Sequence, residues 1–332
     1  MVKKTGNKTF LAIEAALIGI NTFLERLMPI LTPSGIILGL ILGSRISHLK
    51  GATLWLFAFI SLVGGFGVHL PDFVSIIKKP TPVLLFLAHS YLLFPSLVWA
   101  SMQVFFPNQG DTMLGFYLLC SVPTAVVGYV WSSIYKGDPA LSLILLLIGT
   151  IAAPLATPLM MQILSRSAVA FDVSGMVISL VQMVLIPSLL GMTITRVTHN
   201  RVNEYVTPSL KPFTKVAIFT LMAINASQLS DAFFNIISVQ LIPIAIGCIL
   251  FTFVGFALAR GFAALVRLKR AQATSLMFAS GLRNINAALV LAVEFFAAPV
   301  AIPVMIGIFF QQLMSAVSAT ILLGTRRSGR GE

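Results

Sequence analysis

The sequence predicts an all-α integral membrane protein: about ten transmembrane helices in two inverted five-helix repeats, with the fourth and ninth helices discontinuous and crossing. Three observations carry this. Hydrophobic residues make up 58% of the 332-residue chain and charged residues only 10%, where a soluble domain carries about 25% charged residues. The apolar residues fall into runs long enough to cross a bilayer, which takes about 17–25 of them, and mean hydropathy is +0.98. The two most interrupted runs, CSVPTAVVGY (120–129) and SGLRNIN (280–286), occupy corresponding positions in the two halves of the chain.

In chain order, the runs 29–46, 52–70, 81–104, 112–135 and 139–165 form the first repeat, 29–165. The runs 173–195, 207–229, 234–259, 271–297 and 299–324 form the second, 166–325. Ahead of them, Glu14, Asn21 and Glu25 recur at helical spacing among apolar residues in 9–28. That pattern suits an amphipathic helix in the membrane interface, residues 1–28, with an eleventh crossing as the competing reading. The same polar residues, and the lack of a clear small-residue cleavage site, argue against a removed signal peptide. With ten spans, one side of the membrane collects Lys3, Lys4, Lys8, Arg26, Lys78, Lys79, Lys136, Arg196, Arg201, Arg260, Arg267, Lys269 and Arg270. It also holds the basic tail 326–332, while the other side has little beyond Arg45, Lys50 and Arg166. The positive-inside rule then places both termini in the cytoplasm, in a cell (inner) membrane.

Other classes fit poorly. The net charge of +12 would suit a nucleic-acid partner, but the basic residues lie in short connectors rather than on one face. Cys120 and Cys248 sit within apolar runs and read as small apolar residues. Four scattered His and ten scattered Asp and Glu offer no metal cluster and no cofactor site. An intramembrane lipid-modifying enzyme would need paired carboxylates or a positioned base and nucleophile, and no run carries them.

The interruptions are where chemistry belongs. A broken helix exposes N–H and C=O groups at membrane depth, tolerated only where protein or a cavity satisfies them. Pro123 removes a donor, Gly281 relaxes backbone geometry, and Gly128 marks the same break in the first half. Arg283 is the sharpest signal. An arginine at mid-span costs at least about 2.5–3.5 kcal/mol, so it faces protein or water. The nearest acidic residue in sequence, Glu294, is about three turns away, out of reach within one helix. A substrate role for Arg283 competes with a structural one between helices. Asn284 and Asn286 suit ligand contacts or helix glue. Thr124, His89, Ser90, Gln311 and Gln312 are further polar candidates to line the same cavity.

The stretches YKGDPALSLILLLIGTIAAPLATPLM (135–160) and SGMVISLVQMVLIPSLLGMTITR (174–196) resemble the bile acid:sodium symporter family. The similarity extends loosely from about residue 30 to 324. It implies a panel domain and a core domain, with the fourth and ninth helices unwound and crossing. It also implies sodium sites, and here this chain departs. Where the family's ninth helix resembles E-x-G-x-Q-N, this one has Ala279, Gly281, Arg283 and Asn284. Where the family's fourth helix has a Ser-Asn pair, this one has Gly128 and Tyr129. Ser142 matches a family sodium-site serine, while a nearby threonine position is Leu146. The resemblance therefore implies degenerate sodium sites, with a guanidinium supplied where a cation would sit. The expected function is alternating-access transport of a small organic anion without sodium coupling, with Arg283 as fixed cation. Two alternatives stay open: sodium coupling through relocated ligands such as Ser142, Asn284 and Asn286, and a non-transporting membrane partner or sensor. Oligomeric state and substrate identity have no sequence signature here.

Overall fold

The computed structural model describes residues 8–68, 80–165, 171–235 and 238–324. Of the basic residues used above to orient the chain, Lys78, Lys79, Arg166 and the tail 326–332 lie outside them.

The described chain is helical. In order, its main helices are α1 (Lys8–Leu42), α2 (Ser44–Phe66), α3 (Pro80–Phe105), α4 (Gly110–Ser121), α5 (Val126–Ile134) and α6 (Pro139–Leu164). They continue with α7 (Val173–Val197), α8 (Thr207–Ser227), α9 (Ser238–Leu265), α10 (Arg270–Gly281), α11 (Ile285–Phe295) and α12 (Ala298–Leu323). Among the described residues six helices are long and apolar enough to cross a membrane: α2, α3, α6, α7, the Leu241–Leu265 part of α9, and α12. The others fall short for visible reasons. The runs 112–135 and 271–297 are each split into two half-helices, α4 with α5 and α10 with α11. Helix α8 carries Lys211 and Lys215. Helix α1 runs without interruption through the segment 9–28 and on into the first expected span, so one helix covers what the sequence set apart as two elements.

Proline explains the local departures from α geometry. Among the described residues, π-helical turns occur at His89–Leu93, Val181–Leu185 and Val202–Val206. Each is followed two residues later by a proline: Pro95, Pro187 and Pro208. A proline cannot donate to the carbonyl four residues back. The ladder shifts to wider rings, as where Phe94 N–H reaches the His89 carbonyl.

The chain divides into two compact units, each drawing helices from both halves of the sequence. The first comprises Met1–Leu70 and Val181–Ser230. Within it α1 lies against α8 so closely that a Cβ on Gly39 would fall 2.1 Å from the Ala223 carbonyl oxygen. Helices α2 and α7 meet at Gly65 and Gly191, where a Cβ on Gly65 would fall 2.5 Å from the Ser188 carbonyl oxygen. Small residues at such crossings let backbones approach and gain dispersion contact that lipid cannot match. Polar side chains tie the same helices: Thr195 Oγ1 donates to the Phe66 carbonyl (3.0 Å), and Gln228 Nε2 to the Ser47 carbonyl (2.7 Å). The buried Lys215 ammonium donates to the backbone and side-chain oxygens of Asn21.

The second unit comprises Pro71–Leu180 and Asp231–Glu332. Helices α6 and α12 are its centre, buried over 61% of their most apolar stretch against 28–39% for the other four long helices. Phe86, Leu141, Leu145, Leu276 and Ala279 pack into one cluster, and Phe256, Met277, Phe278 and Leu282 into another. Leu84, Leu92, Phe105, Leu155, Ile163 and Leu250 stay exposed. A polytopic protein presents such apolar side chains to lipid.

Candidate functional site

The site is built where the two broken helices of the second unit meet. In the first, the break follows directly from sequence. The residue before a proline is driven out of the α region, and Val122, preceding Pro123, is extended (φ −68°, ψ 156°). Ala125 is extended too, and α5 begins at Val126. In the second, Leu282 is extended (φ −96°, ψ 104°) and Asn284 caps α11, its side-chain oxygen accepting from the Ala287 N–H (3.3 Å).

These two extended stretches pair antiparallel at Thr124 and Arg283. Ala125 N–H donates to the Leu282 carbonyl (3.0 Å) and Asn284 N–H to the Pro123 carbonyl (2.8 Å). Thr124 Oγ1 donates to the Leu282 carbonyl (3.2 Å), and the Arg283 N–H donates to Gln311 Oε1 from α12 (3.2 Å). The polar groups freed by each break are thus met by the other break or by α12, which is what membrane depth requires.

Arg283 is 4% exposed. Its Nη1 donates to the Val122 carbonyl (3.3 Å) and its Nη2 to the Ser90 carbonyl (3.4 Å), while Nε has no hydrogen-bond partner. Its guanidinium carbon lies 5.9 Å from the centre of the Phe94 ring, within cation–π range. Val122 follows the last residue of α4, where a helix carries partial negative charge. A permanent cation therefore meets the open end of one half-helix and the carbonyl of a π turn.

Most of the polar residues singled out in the sequence gather here. Ser90 supplies its carbonyl to Arg283, and its hydroxyl has no partner. His89 is buried and stacked on Phe94 (centroids 5.5 Å apart), with Nε2 donating to the Gly255 carbonyl (3.0 Å) and Nδ1 unpartnered. Asn286 is half-buried in the first turn of α11. Gln311 and Gln312 separate: Gln311 reaches the crossover, while Gln312 is exposed and accepts from Trp131 Nε1 (3.1 Å). Two glycines act otherwise than expected. Gly281 is the last helical residue of α10 and has no unusual φ; the Phe256 ring occupies the space a Cβ would need, 2.4 Å away. Gly128 lies in the first turn of α5 rather than in the break, and a Cβ there would fall 3.1 Å from the Phe278 carbonyl oxygen.

The positions that match sodium ligands by resemblance hold few free oxygens. Ala279 is buried in the apolar cluster around Phe86, Leu146 is buried, and Tyr129 is half-buried. Ser142 belongs to a buried hydroxyl cluster that sequence reasoning missed. Ser132 Oγ lies 2.8 Å from Ser142 Oγ and 3.1 Å from Ser275 Oγ, and Ser142 and Ser275 each donate to the Asp138 carbonyl (3.0 Å). Among the described residues no group of His, Cys, Asp or Glu could hold a metal ion.

Apolar helices able to cross a membrane, and two broken helices closing a buried polar crossover, define a polytopic membrane protein with the build of a transporter. The chain belongs to the sodium bile acid symporter family, whose profile matches residues 53–236. Its relatives include protein YbaS of Bacillus subtilis, 32% identical over 89% of this chain and 96% of that protein. The Arabidopsis thaliana chloroplastic protein named "Probable sodium/metabolite cotransporter BASS3" is 27% identical over 79% of this chain and 60% of that protein. The arsenical-resistance protein Acr3 of Alkaliphilus metalliredigens is 26% identical over 72% of this chain and 74% of its own length. The second is named as a transporter and the third as a resistance protein, and the family is one of transporters rather than enzymes.

Proposed function

We propose that this protein is a secondary transporter of a small organic anion, working by alternating access without sodium coupling. One observation carries the reading: the Arg283 guanidinium donates to the carbonyls of Val122 and Ser90 at the helix crossover. Backbone carbonyls at the open end of a broken helix are what a bound alkali cation would seek. Here a covalently attached cation takes them, and arginine stays protonated in proteins. Its charge is permanent and the crossover needs no ion from solution. Both terminal nitrogens are engaged with backbone, so the guanidinium is not a free fork for a carboxylate. Arg283 serves the anion through its charge and its remaining donors.

The reading includes ten crossings, with α4–α5 and α10–α11 each counted as one, and both termini on the cytoplasmic side. The unit of residues 1–70 and 181–230 would act as panel and the other as core. Sodium coupling is the second reading, favoured by the oxygens of Ser132, Ser142 and Ser275 around the Asp138 carbonyl. Those hydroxyls already bond one another and the carbonyl, and the Asp138 carboxylate accepts from the Leu141 N–H to cap α6, so they serve better as a lock between α5, α6 and α10. Counterflow of radiolabelled organic anions in proteoliposomes tests the proposal. Exchange is expected at equal rates in sodium and choline media for the parent, and is expected to be lost in choline for Arg283→Ala. Exchange that requires sodium in the unsubstituted protein refutes it, and absence of exchange for every anion tried favours a non-transporting role.

A further inference from the structure

Beside the crossover, within the second unit, lies a cavity of about 40 Å³. We propose that it binds one small anionic group, a halide or the carboxylate head of a larger molecule, and that Gln311 determines this selectivity. The inference rests on Arg283 as a fixed cation and adds where, and by what donors, the anion is held.

The volume sets the ligand class. One water needs roughly 10–15 Å³ of such space, so the cavity admits about three water-sized particles and no ring system. The wall sets the charge. Arg283 lines it, and none of the lining residues is acidic. The other polar lining groups have spent their hydrogens: Thr252 Oγ1 donates to the Cys248 carbonyl (2.6 Å), Cys120 Sγ to the Tyr117 carbonyl (3.1 Å) and Cys248 Sγ to the Pro303 carbonyl (3.4 Å). Gln311 differs. Its oxygen is committed to the Arg283 N–H, so the end of its amide left to meet a ligand is the NH₂. Arg283 Nε is a second buried donor without a partner. A low-dielectric pocket with one uncompensated positive charge and two spare donors selects an anion over a cation or a neutral solute.

Gln311→Glu is the discriminating variant. A carboxylate would still accept from the Arg283 N–H, so the crossover keeps its support, while the second oxygen places a tethered anion beside the guanidinium. Thermal unfolding of the purified full-length protein is followed in a zwitterionic buffer without added salt while choline chloride, bromide, acetate or cholate is added. In the unsubstituted protein the midpoint is expected to rise saturably with at least one of these anions. Gln311→Glu is expected to unfold no earlier than the parent in the salt-free buffer and to lose the anion response. Response to halides alone identifies a resident inorganic anion. Response to acetate and cholate identifies the head of the organic substrate. Either supports the site. Gly307→Ala provides a second test, because its methyl group enters the cavity wall with only the Leu119 side chain, 3.3 Å away, to displace. It should weaken bromide and acetate more than chloride. Undiminished response in both variants, or no saturable response to any anion in the parent, overturns the inference. If the parent responds only when sodium is present, the fixed-cation reading itself fails.

Discussion

Replacing Arg283 by alanine puts the tethered cation to a direct test. The substitution strips hydrogen bonds from the Val122 and Ser90 carbonyls, both deep in the second unit. A buried acceptor left unpaired costs about 1–3 kcal/mol, so the two together cost about 2–6 kcal/mol. Removing a mid-membrane arginine returns at least about 2.5–3.5 kcal/mol. The two terms oppose, giving a net change between a gain of about 1.5 kcal/mol and a loss of about 3.5 kcal/mol, so its sign decides little. What decides is the ion response. Two orphaned carbonyls, one at the end of α4 and one in the π turn of α3, form the kind of site a sodium or guanidinium ion from solution can occupy. Thermal unfolding in choline gluconate, with added sodium gluconate or millimolar guanidinium, should show a saturable rise of the midpoint in the alanine variant and none in the parent. Organic-anion exchange should be lost without the added cation and partly recovered with it. An alanine variant as insensitive to both cations as the parent would refute the idea that Arg283 stands where an ion once bound.

Three further outcomes are expected. Combining Arg283→Gln with Ala279→Glu restores an amide and a carboxylate to the crossover, and anion exchange by the double variant should rise with sodium where the parent's does not. Pro95→Ala returns an N–H that can reach the Tyr91 carbonyl, so the His89–Leu93 turn should tighten to α geometry and carry the Ser90 carbonyl away from Arg283; anion-induced stabilisation should weaken, and an unchanged response counts against the π turn as part of the site. Gly39→Ala forces a methyl group onto the Ala223 backbone and should cost about 1–3 kcal/mol by overpacking. Gly64→Ala, with nothing within 4 Å of its Cβ, should leave the unfolding midpoint unchanged; equal effects would dismiss the close approach of α1 and α8.

The sequence by itself determined the class of protein and the place of its two helix breaks. Apolar run length is a one-dimensional property, so membrane helices are legible without tertiary information. Pro123 acts on its immediate neighbour, so the break at Val122 is legible too, and an arginine amid apolar residues announces its own cost. What only the tertiary structure decided depends on partners distant in the chain. The acceptors of Arg283 are carbonyls 161 and 193 residues away, and no side-chain pattern encodes which carbonyl is free. That Gly281 makes room for the Phe256 ring, rather than relaxing the backbone, follows from how α9 packs. Gln311 and Gln312 are chemically identical neighbours, yet a helix turns about 100° per residue, so one meets the crossover and the other Trp131. Local sterics and hydropathy are written residue by residue, whereas the electrostatics of a buried cation are set by whatever folding brings within 4 Å of it.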